Sequence, residues 1–160
     1  MKNEELTQKK NDLIIEKQCN VCIMHMLGEP GTMQNNPNYG DVCQEVFDYL
    51  LEKANLLVEN GLPAGKIYLD PGIGFGKNLK HNITLLRNIS IFHSLGFPIM
   101  LGTSRKKFIK SLSGKNDSKQ RLGGTIASSL TAIMQGVQIL RIHDVNELNQ
   151  SIKVFKSLKF

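Results

Sequence analysis

The sequence contains no tryptophan and only three tyrosines among its 160 residues. Scarce aromatic side chains leave little surface on which the bases of a nucleic acid could stack. No apolar run in it approaches the roughly 18 residues that a membrane span requires. Residues 1–10 are polar and mixed in charge, without the apolar stretch of a secretory signal. We therefore expect no nucleic-acid partner, no membrane association and a cytoplasmic location.

Cysteine is also rare, with three residues in the chain. Cys19 and Cys22 form a C-x-x-C pair, but no second cysteine pair is present to complete a structural zinc site. The segment around Cys22 has the pattern of a strand, in which residues three apart face opposite sides. We expect Cys19, Cys22 and Cys43 to be reduced thiols in buried or half-buried positions.

Charge gives a weak indication of the ligand. The net charge is +6, from 20 Lys and Arg against 14 Asp and Glu, and the basic residues are scattered apart from a short run at 105–107. This excess suits a small phosphorylated substrate, or simply solubility.

Short apolar runs alternate with helical patterns along the chain. The predicted strands are residues 21–26, 66–69, 98–101 and 137–142. The predicted helices are residues 4–18, 42–57, 83–92, 108–112, 122–133 and 144–158. Capping boxes are expected at two helix starts, one pairing Asp41 with Gln44 and the other pairing Asp144 with Glu147. The result is an α/β chain of about four parallel strands, preceded by one helix. It is either an open sheet complete in itself or half of a closed barrel, which needs about 200 residues or more.

Polar residues recur where the predicted strands end. They are His25, Asp70, Ser104 with Lys106, and Arg141 with His143. The carboxyl ends of parallel strands form one edge of a sheet, where ligands of α/β proteins bind. The recurrence therefore predicts a ligand site at this edge.

Asp70 begins a glycine-rich run, residues 70–77. Its spacing fits neither a Rossmann fingerprint nor a P-loop. A carboxylate here could accept hydrogen bonds from a ring N–H and an amino group, or it could close a turn before Pro71. Phe75, which glycines flank, is expected to be exposed or packed against a ligand.

Arg141 and His143 are two residues apart on a predicted strand, so they should share one face, with Ile142 on the other. A guanidinium beside an imidazole suits a phosphate or diphosphate. The alternative is an ion pair between Arg141 and an acidic neighbour such as Asp144.

Five stretches together resemble the dihydropteroate synthase family of pterin-binding barrels. They are residues 23–28, 70–77, 102–106, 121–125 and 141–145, in the order and at the spacing of that family. The resemblance implies the C-terminal half of a (β/α)8 TIM barrel. Residues 1–160 would be a partial pterin-binding domain with strands five to eight, preceded by one helix.

The resemblance also implies a reaction. The family joins 6-hydroxymethyl-7,8-dihydropterin diphosphate to 4-aminobenzoate, which gives 7,8-dihydropteroate and diphosphate in folate biosynthesis. By motif, Lys106, Arg141 and His143 would be catalytic, and the last two would bind the departing diphosphate. Asp70 and Lys106 would contact the pterin. Met24 would line the pterin pocket, while Phe75 and Ser104 would border the aminobenzoate.

Magnesium is the cofactor that the resemblance implies, with its ligand in the family's N-terminal half and none in this chain. We accordingly expect a partner polypeptide carrying that half, a homodimer, and little activity of this chain alone. Two other hypotheses are a non-enzymatic relic or truncated half-barrel, and a methyl-folate-binding barrel of a methyltransferase. The cations of residues 104–106 and 141–143 suit a diphosphate and so argue against the methyltransferase.

Overall fold

The computed structural model describes residues 2–158, and the side chains of residues 8–158. Its α-helices are α1 (Lys2–Lys17), α2 (Val42–Glu59), α3 (Leu79–Arg87), α4 (Lys107–Ser113), α5 (Leu122–Met134) and α6 (Val145–Leu158). Its strands are β1 (Val21–Met24), β2 (Ile67–Asp70), β3 (Met100–Leu101) and β4 (Ile139–Leu140). Short 3-10 segments cover Ala64–Lys66, Ile89–Leu95 and Ser118–Arg121.

The strands are parallel and lie in chain order. β1 pairs with β2, placing Val21 opposite Ile67 and Met24 opposite Asp70. β3 pairs with β4 in the same sense. An isolated parallel bridge between Leu69 and Ile99 joins the two pairs. The predicted α/β chain of parallel strands that alternate with helices is therefore confirmed.

Four predicted elements end earlier or are shorter than their apolar patterns, and among them strands 21–26 and 98–101 are reduced to β1 and β3. The predicted helix 83–92 breaks at Asn88, whose side chain donates to the carbonyl of Thr84 at 2.8 Å, and a 3-10 segment follows. Asparagine competes with the helix for backbone groups in this way. The last predicted strand, 137–142, is reduced to β4, so Arg141 and His143 lie beyond its end.

Both predicted capping boxes are wrong, although Asp41 does cap α2. Its carboxylate accepts from the backbone N–H of Cys43 and Gln44, but the reciprocal bonds run to Glu45, which accepts from the N–H of Gly40 and Asp41. At α6, the carboxylate of Asp144 is paired with the guanidinium of Arg105.

The core lies between one face of the sheet and the helices. Alternate strand residues are fully buried there, as the period of two in a strand requires. They are Ile67, Leu69, Ile99 and Leu101. Every third or fourth residue of α2 meets them, and these residues are Val42, Val46, Leu50, Ala54 and Leu57. This packing fixes the sheet and so the edge where the strands end.

The three cysteines lie at exposed or half-buried positions, and Cys22 is on the opposite face of the sheet. Cys22 lies there with its Sγ 3.7 Å from the Sδ of Met100, yet it remains exposed. The prediction of free thiols is confirmed, and Cys43 is half-buried as expected, but Cys19 and Cys22 are exposed rather than buried.

Among the described residues, the helices are all too short or too polar to pass through a bilayer.

Candidate functional site

The carboxyl ends of the strands surround a cavity of about 300 Å³. It is lined by Phe75, Gly102, Ser104, Lys106, Arg141, Ile142 and His143. Five of the predicted site residues therefore lie together. They come from the loops after β2, β3 and β4, because parallel strands bring their carboxyl ends to one edge.

A second cavity of about 520 Å³ adjoins the first and shares Ser104, Lys106 and His143 with it. Its further lining consists of Pro30, Met33, Gln34, Gly74, Arg105, Lys107 and Ser118. The loop that follows β1 thus reaches the site, with the Gln34 amide donating to the carbonyl of Gly74 at 2.6 Å. Two neighbouring cavities that share a lysine can hold two reactants side by side.

Asp70 lies beneath the site, 3% exposed, at the end of β2. Its Oδ1 accepts from the backbone N–H of Gly72 at 2.8 Å, so it does close the turn before the glycine run. Burial raises the pKa of the Asp70 carboxyl, while the Gly72 N–H and the charges of Arg141, Lys106 and Lys77 act to lower it. Met24 is its register partner on β1, which places both side chains on the same face.

Lys106 lies over the ring of Phe75, with its Nζ 4.0 Å from the ring centroid. This is a short cation–π contact, in which the ring partly replaces water around the ammonium. Burial lowers the pKa of Lys106, opposed by the charge of Asp70. Phe75 is half-buried rather than exposed, and its ring packs against this lysine, so its predicted contact with a ligand stays a prediction.

Ser104 and His143 are joined by a hydrogen bond of 2.8 Å between the hydroxyl Oγ and Nδ1. The same Oγ accepts from the backbone N–H of His143 at 3.2 Å. These two contacts connect the loop after β3 to the loop after β4 and fix the imidazole in the cavity.

Arg141 and His143 line the cavity, but not as two residues on one face of a strand. Ile142 lines the same cavity, which contradicts its predicted outward position. Asp144 pairs with Arg105, so the alternative of an Arg141–Asp144 ion pair is wrong. Arg141 is exposed, and its guanidinium lies over Gly102, where a Cβ would be 3.3 Å from Nη2. It is therefore a cation that an anionic ligand can reach.

Arg121 supports this site, and sequence reasoning assigned it no role. It is 8% exposed, and its guanidinium donates to the carbonyls of Arg105, Lys115 and Asn116. Thr125 holds the other side of Arg105, accepting from its N–H at 3.0 Å. Arg105 has a φ of 57°, in the left-handed region that non-glycine residues avoid. These bonds hold the strained loop that presents Lys106.

Two buried polar residues, one in the glycine-rich loop and one in α3, were also missed. Asn82 is 4% exposed; its Oδ1 accepts from Gly74 N–H at 2.6 Å, and its amide donates to the carbonyls of Lys77 and Asn78. Lys77 is 2% exposed and contacts His25. The Asn82 position could have been suspected, because it lies on the buried face of the helix next to Ile83 and Leu86.

Metal binding has no support within residues 8–158, the part of the chain whose side chains the structure describes. No group of three or more His, Cys, Asp or Glu side chains there is arranged to hold an ion. The described side chains thus form no ligand cluster for the implied magnesium, and no step proposed below passes through a metal.

Comparisons with known proteins agree with this geometry. The sequence pattern of the family described as "Pterin binding enzyme" matches residues 2–143. The dihydropteroate synthase of Escherichia coli K12 is 43% identical over 137 residues, which are 86% of this chain and 48% of that protein. This chain thus spans about half the length of such curated relatives.

Solved structures give the same result. Dihydropteroate synthase of Thermus thermophilus in complex with 4-aminobenzoate superposes with a TM-score of 0.89 at 38% identity, covering 94% of this chain and 61% of that one. The same enzyme in complex with 6HMPPP gives 0.89 and 38%, covering 94% and 60%. With its family pattern matched over most of its length and its polar strand ends gathered at one cavity, the chain belongs to the pterin-binding enzyme family.

Proposed function

We propose that this chain contributes the substrate-holding edge of a dihydropteroate synthase. The reaction joins the dihydropterin diphosphate to 4-aminobenzoate and releases diphosphate. The observation that carries the proposal is the cavity where Lys106, Arg141 and His143 meet beside the buried Asp70. The cavity offers cations for a diphosphate, and Asp70, which is buried beside it, would supply a carboxylate for an N–H-rich ring.

We also propose a more specific fold than an α/β chain. The four parallel strands would be strands five to eight of a (β/α)8 barrel, and residues 1–160 a partial pterin-binding domain. The exposed face that carries Cys22 supports this arrangement, because strands of a closed parallel barrel are buried on both faces. A partner polypeptide or segment with the other four strands would cover that face and complete the site.

Pterin binding falls to Asp70 and Met24. An ionised Asp70 would accept hydrogen bonds from the ring N–H and the exocyclic amino group of the pterin. Burial raises the pKa of Asp70, whereas the N–H of Gly72 and then the charges of Arg141, Lys106 and Lys77 act to lower it and so favour the carboxylate.

The chemical step needs charge stabilisation more than proton transfer. The amine of 4-aminobenzoate, held between Phe75 and Ser104, would attack the methylene carbon of the pterin. A C–N bond forms as the C–O bond to the diphosphate breaks, and the bonding electron pair leaves with the diphosphate while the amine proton passes to solvent. Arg141 and His143 would stabilise the charge on that leaving group, and Lys106 would contact the pterin.

Magnesium, a homodimeric state and a cytoplasmic location remain proposals that accompany the family resemblance. We propose that the metal is held by the polypeptide that carries the other half of the barrel.

Turnover tests the proposal directly. Dihydropteroate formation is measured with magnesium, using the chain alone and the chain co-expressed with a polypeptide that carries the other half of the barrel. We expect turnover in the mixture, a loss of at least about a hundredfold in Lys106→Ala and Arg141→Ala, and no loss in Lys110→Ala, an exposed lysine of the adjacent helix.

A folded mixture without turnover would contradict the proposal and leave an inactive relic. Isothermal titration of diphosphate against the chain alone separates the two steps. Binding that Arg141→Ala abolishes, without turnover, would show that the anion site is intact although the chemistry is not.

A further inference from the structure

Lys77 is a buried amine that the proposed reaction does not use. Its Nζ lies 2.8 Å from Nδ1 of His25 and donates to the carbonyl of Phe75 at 3.0 Å. His25 is itself 5% exposed, and its ring packs edge-on against Tyr49 with the centroids 5.0 Å apart. Burying an amine is costly without partners, so this one requires a structural reason.

The two residues join segments that are far apart in sequence. His25 directly follows β1, and its N–H donates to the carbonyl of Asp70 at 3.0 Å. Lys77 closes the glycine-rich loop that follows β2. Between them the backbones touch, since a Cβ on Gly72 would lie 1.8 Å from the carbonyl oxygen of His25. The Lys77–His25 bond thus spans a contact between two backbones.

From this contact a short path leads to the site. Lys77 donates a hydrogen bond to the carbonyl of Phe75, and the ring of Phe75 lies against the ammonium of Lys106. Tyr39 supports the same loop, donating from its hydroxyl to the carbonyl of Gly76 at 2.8 Å. The direction of the Phe75 ring therefore depends on a loop whose interior anchor is Lys77.

We propose that Lys77 and His25 act as a pair of positioning residues that hold Phe75 beneath Lys106 and so shape the aminobenzoate side of the site. The assignment of that side rests on the proposed function, whereas the positioning of Phe75 does not. Neither residue lines either cavity, so the pair acts through Phe75 rather than on a reactant.

Nuclear magnetic resonance reports the positioning without any turnover. In a chain with ¹³C-labelled lysine, the ring current of Phe75 should shift the terminal methylene protons of Lys106 upfield, a signal identified by its loss in Lys106→Arg. We expect Lys77→Met and His25→Phe to abolish that shift. His25→Phe retains an aromatic ring against Tyr49 and removes the nitrogen partner, so it covers the case in which Lys77→Met does not fold.

Lys80→Met is the matched control, because Lys80 is exposed three residues further along. The shift should persist in it. A shift that survives in folded Lys77→Met and His25→Phe, or that is absent from the unmodified chain, would overturn the proposal.

Kinetics of the complemented enzyme then test the consequence. We expect the KM for 4-aminobenzoate to rise about tenfold in both variants, equivalent to about 1.4 kcal/mol, with a smaller change for the pterin. An unchanged KM in active variants would also overturn the pair's role in the site. An unmodified mixture without turnover contradicts the proposed function alone, since the resonance experiment still decides the positioning of Phe75.

Discussion

Replacing Gly72 with alanine should destabilise the chain far more than the same change at another glycine of similar backbone conformation. Gly72 has a φ of 72°, and its added Cβ would lie 1.8 Å from the carbonyl oxygen of His25 and 2.9 Å from the carbonyl carbon. Gly114 has a φ of 71°, with nothing within 4 Å of its added Cβ. The pair separates the cost of the conformation from the cost of the contact.

The conformation costs alanine about 1–2 kcal/mol, from which about 0.4–1 kcal/mol is recovered because alanine restricts the unfolded chain. We therefore expect Gly114→Ala to lower the free energy of unfolding by about 0–1.6 kcal/mol. At Gly72 the two backbones must also separate by more than about 1 Å to restore an ordinary contact. That movement breaks the bond from His25 N–H to the Asp70 carbonyl and the Lys77–His25 bond.

Each of those hydrogen bonds contributes about 1 kcal/mol, so Gly72→Ala should cost about 2 kcal/mol more than Gly114→Ala. Urea unfolding followed by far-ultraviolet circular dichroism is the suitable assay, because the chain has no tryptophan to report by fluorescence. With a slope of about 2 kcal/mol per molar urea, the two midpoints should differ by about 1 M. Equal midpoints would refute the reasoning that a backbone contact beneath the site forces glycine at position 72.

Two further changes probe the polar interior of the same loop. Asn82→Ala should lower the free energy of unfolding by about 2–3 kcal/mol, because it leaves the N–H of Gly74 and two loop carbonyls without their buried partner; urea unfolding measures this, and a cost equal to that of Asn88→Ala, an exposed asparagine, would contradict it. Burial lowers the pKa of Lys77 to about 7, and that of His25 to about 4, with the neighbouring Lys77 charge adding to the effect. Since the unfolded chain binds the extra protons, stability should rise with pH from about 4 to 6.5 through His25 and from about 7 to 10.4 through Lys77, by at most about 1.4 kcal/mol per pH unit. Lys77→Met should flatten the rise of stability with pH that Lys77 causes. Asp70 and Lys106 are the other charged groups that face the amine. A stability curve that keeps its slope in this variant would show that the amine is not buried in solution.

Sequence patterns were sufficient for those parts of the fold that depend on local periodicity. The apolar spacing of 42–57 predicted α2, and its buried residues are those at that spacing. The four strands were placed in order, but their bounds were less accurate, since a strand ends where its neighbour ends. β4 shows this, because it pairs with only two residues of β3 although its apolar run is longer.

The site was predictable because the topology of a parallel sheet brings its residues together. Parallel strands bring their carboxyl ends together, so polar residues after successive strands must meet, and Ser104, Lys106, Arg141 and His143 do line one cavity. The sequence did not predict which charged residues beside this group form ion pairs. Asp144 was the alternative partner considered for Arg141, but its carboxylate is paired with the guanidinium of Arg105.

The residues that sequence reasoning missed share one property, which is that each of them donates to backbone carbonyls. Arg121 donates to three carbonyls of the loops around Lys106, and Lys77 donates to the carbonyl of Phe75. A carbonyl is present at every residue, so no residue type or spacing marks the acceptor, and a buried lysine or arginine looks in sequence like one at the surface. The glycines of residues 70–77 also contact backbone groups that the sequence does not mark. Gly72 and Gly76 are required by close backbone contacts with His25 and Leu27, and both contacts join segments that are far apart in the chain. The loop is therefore built as a rigid support, and its glycines serve close packing beneath the site rather than flexibility at its mouth.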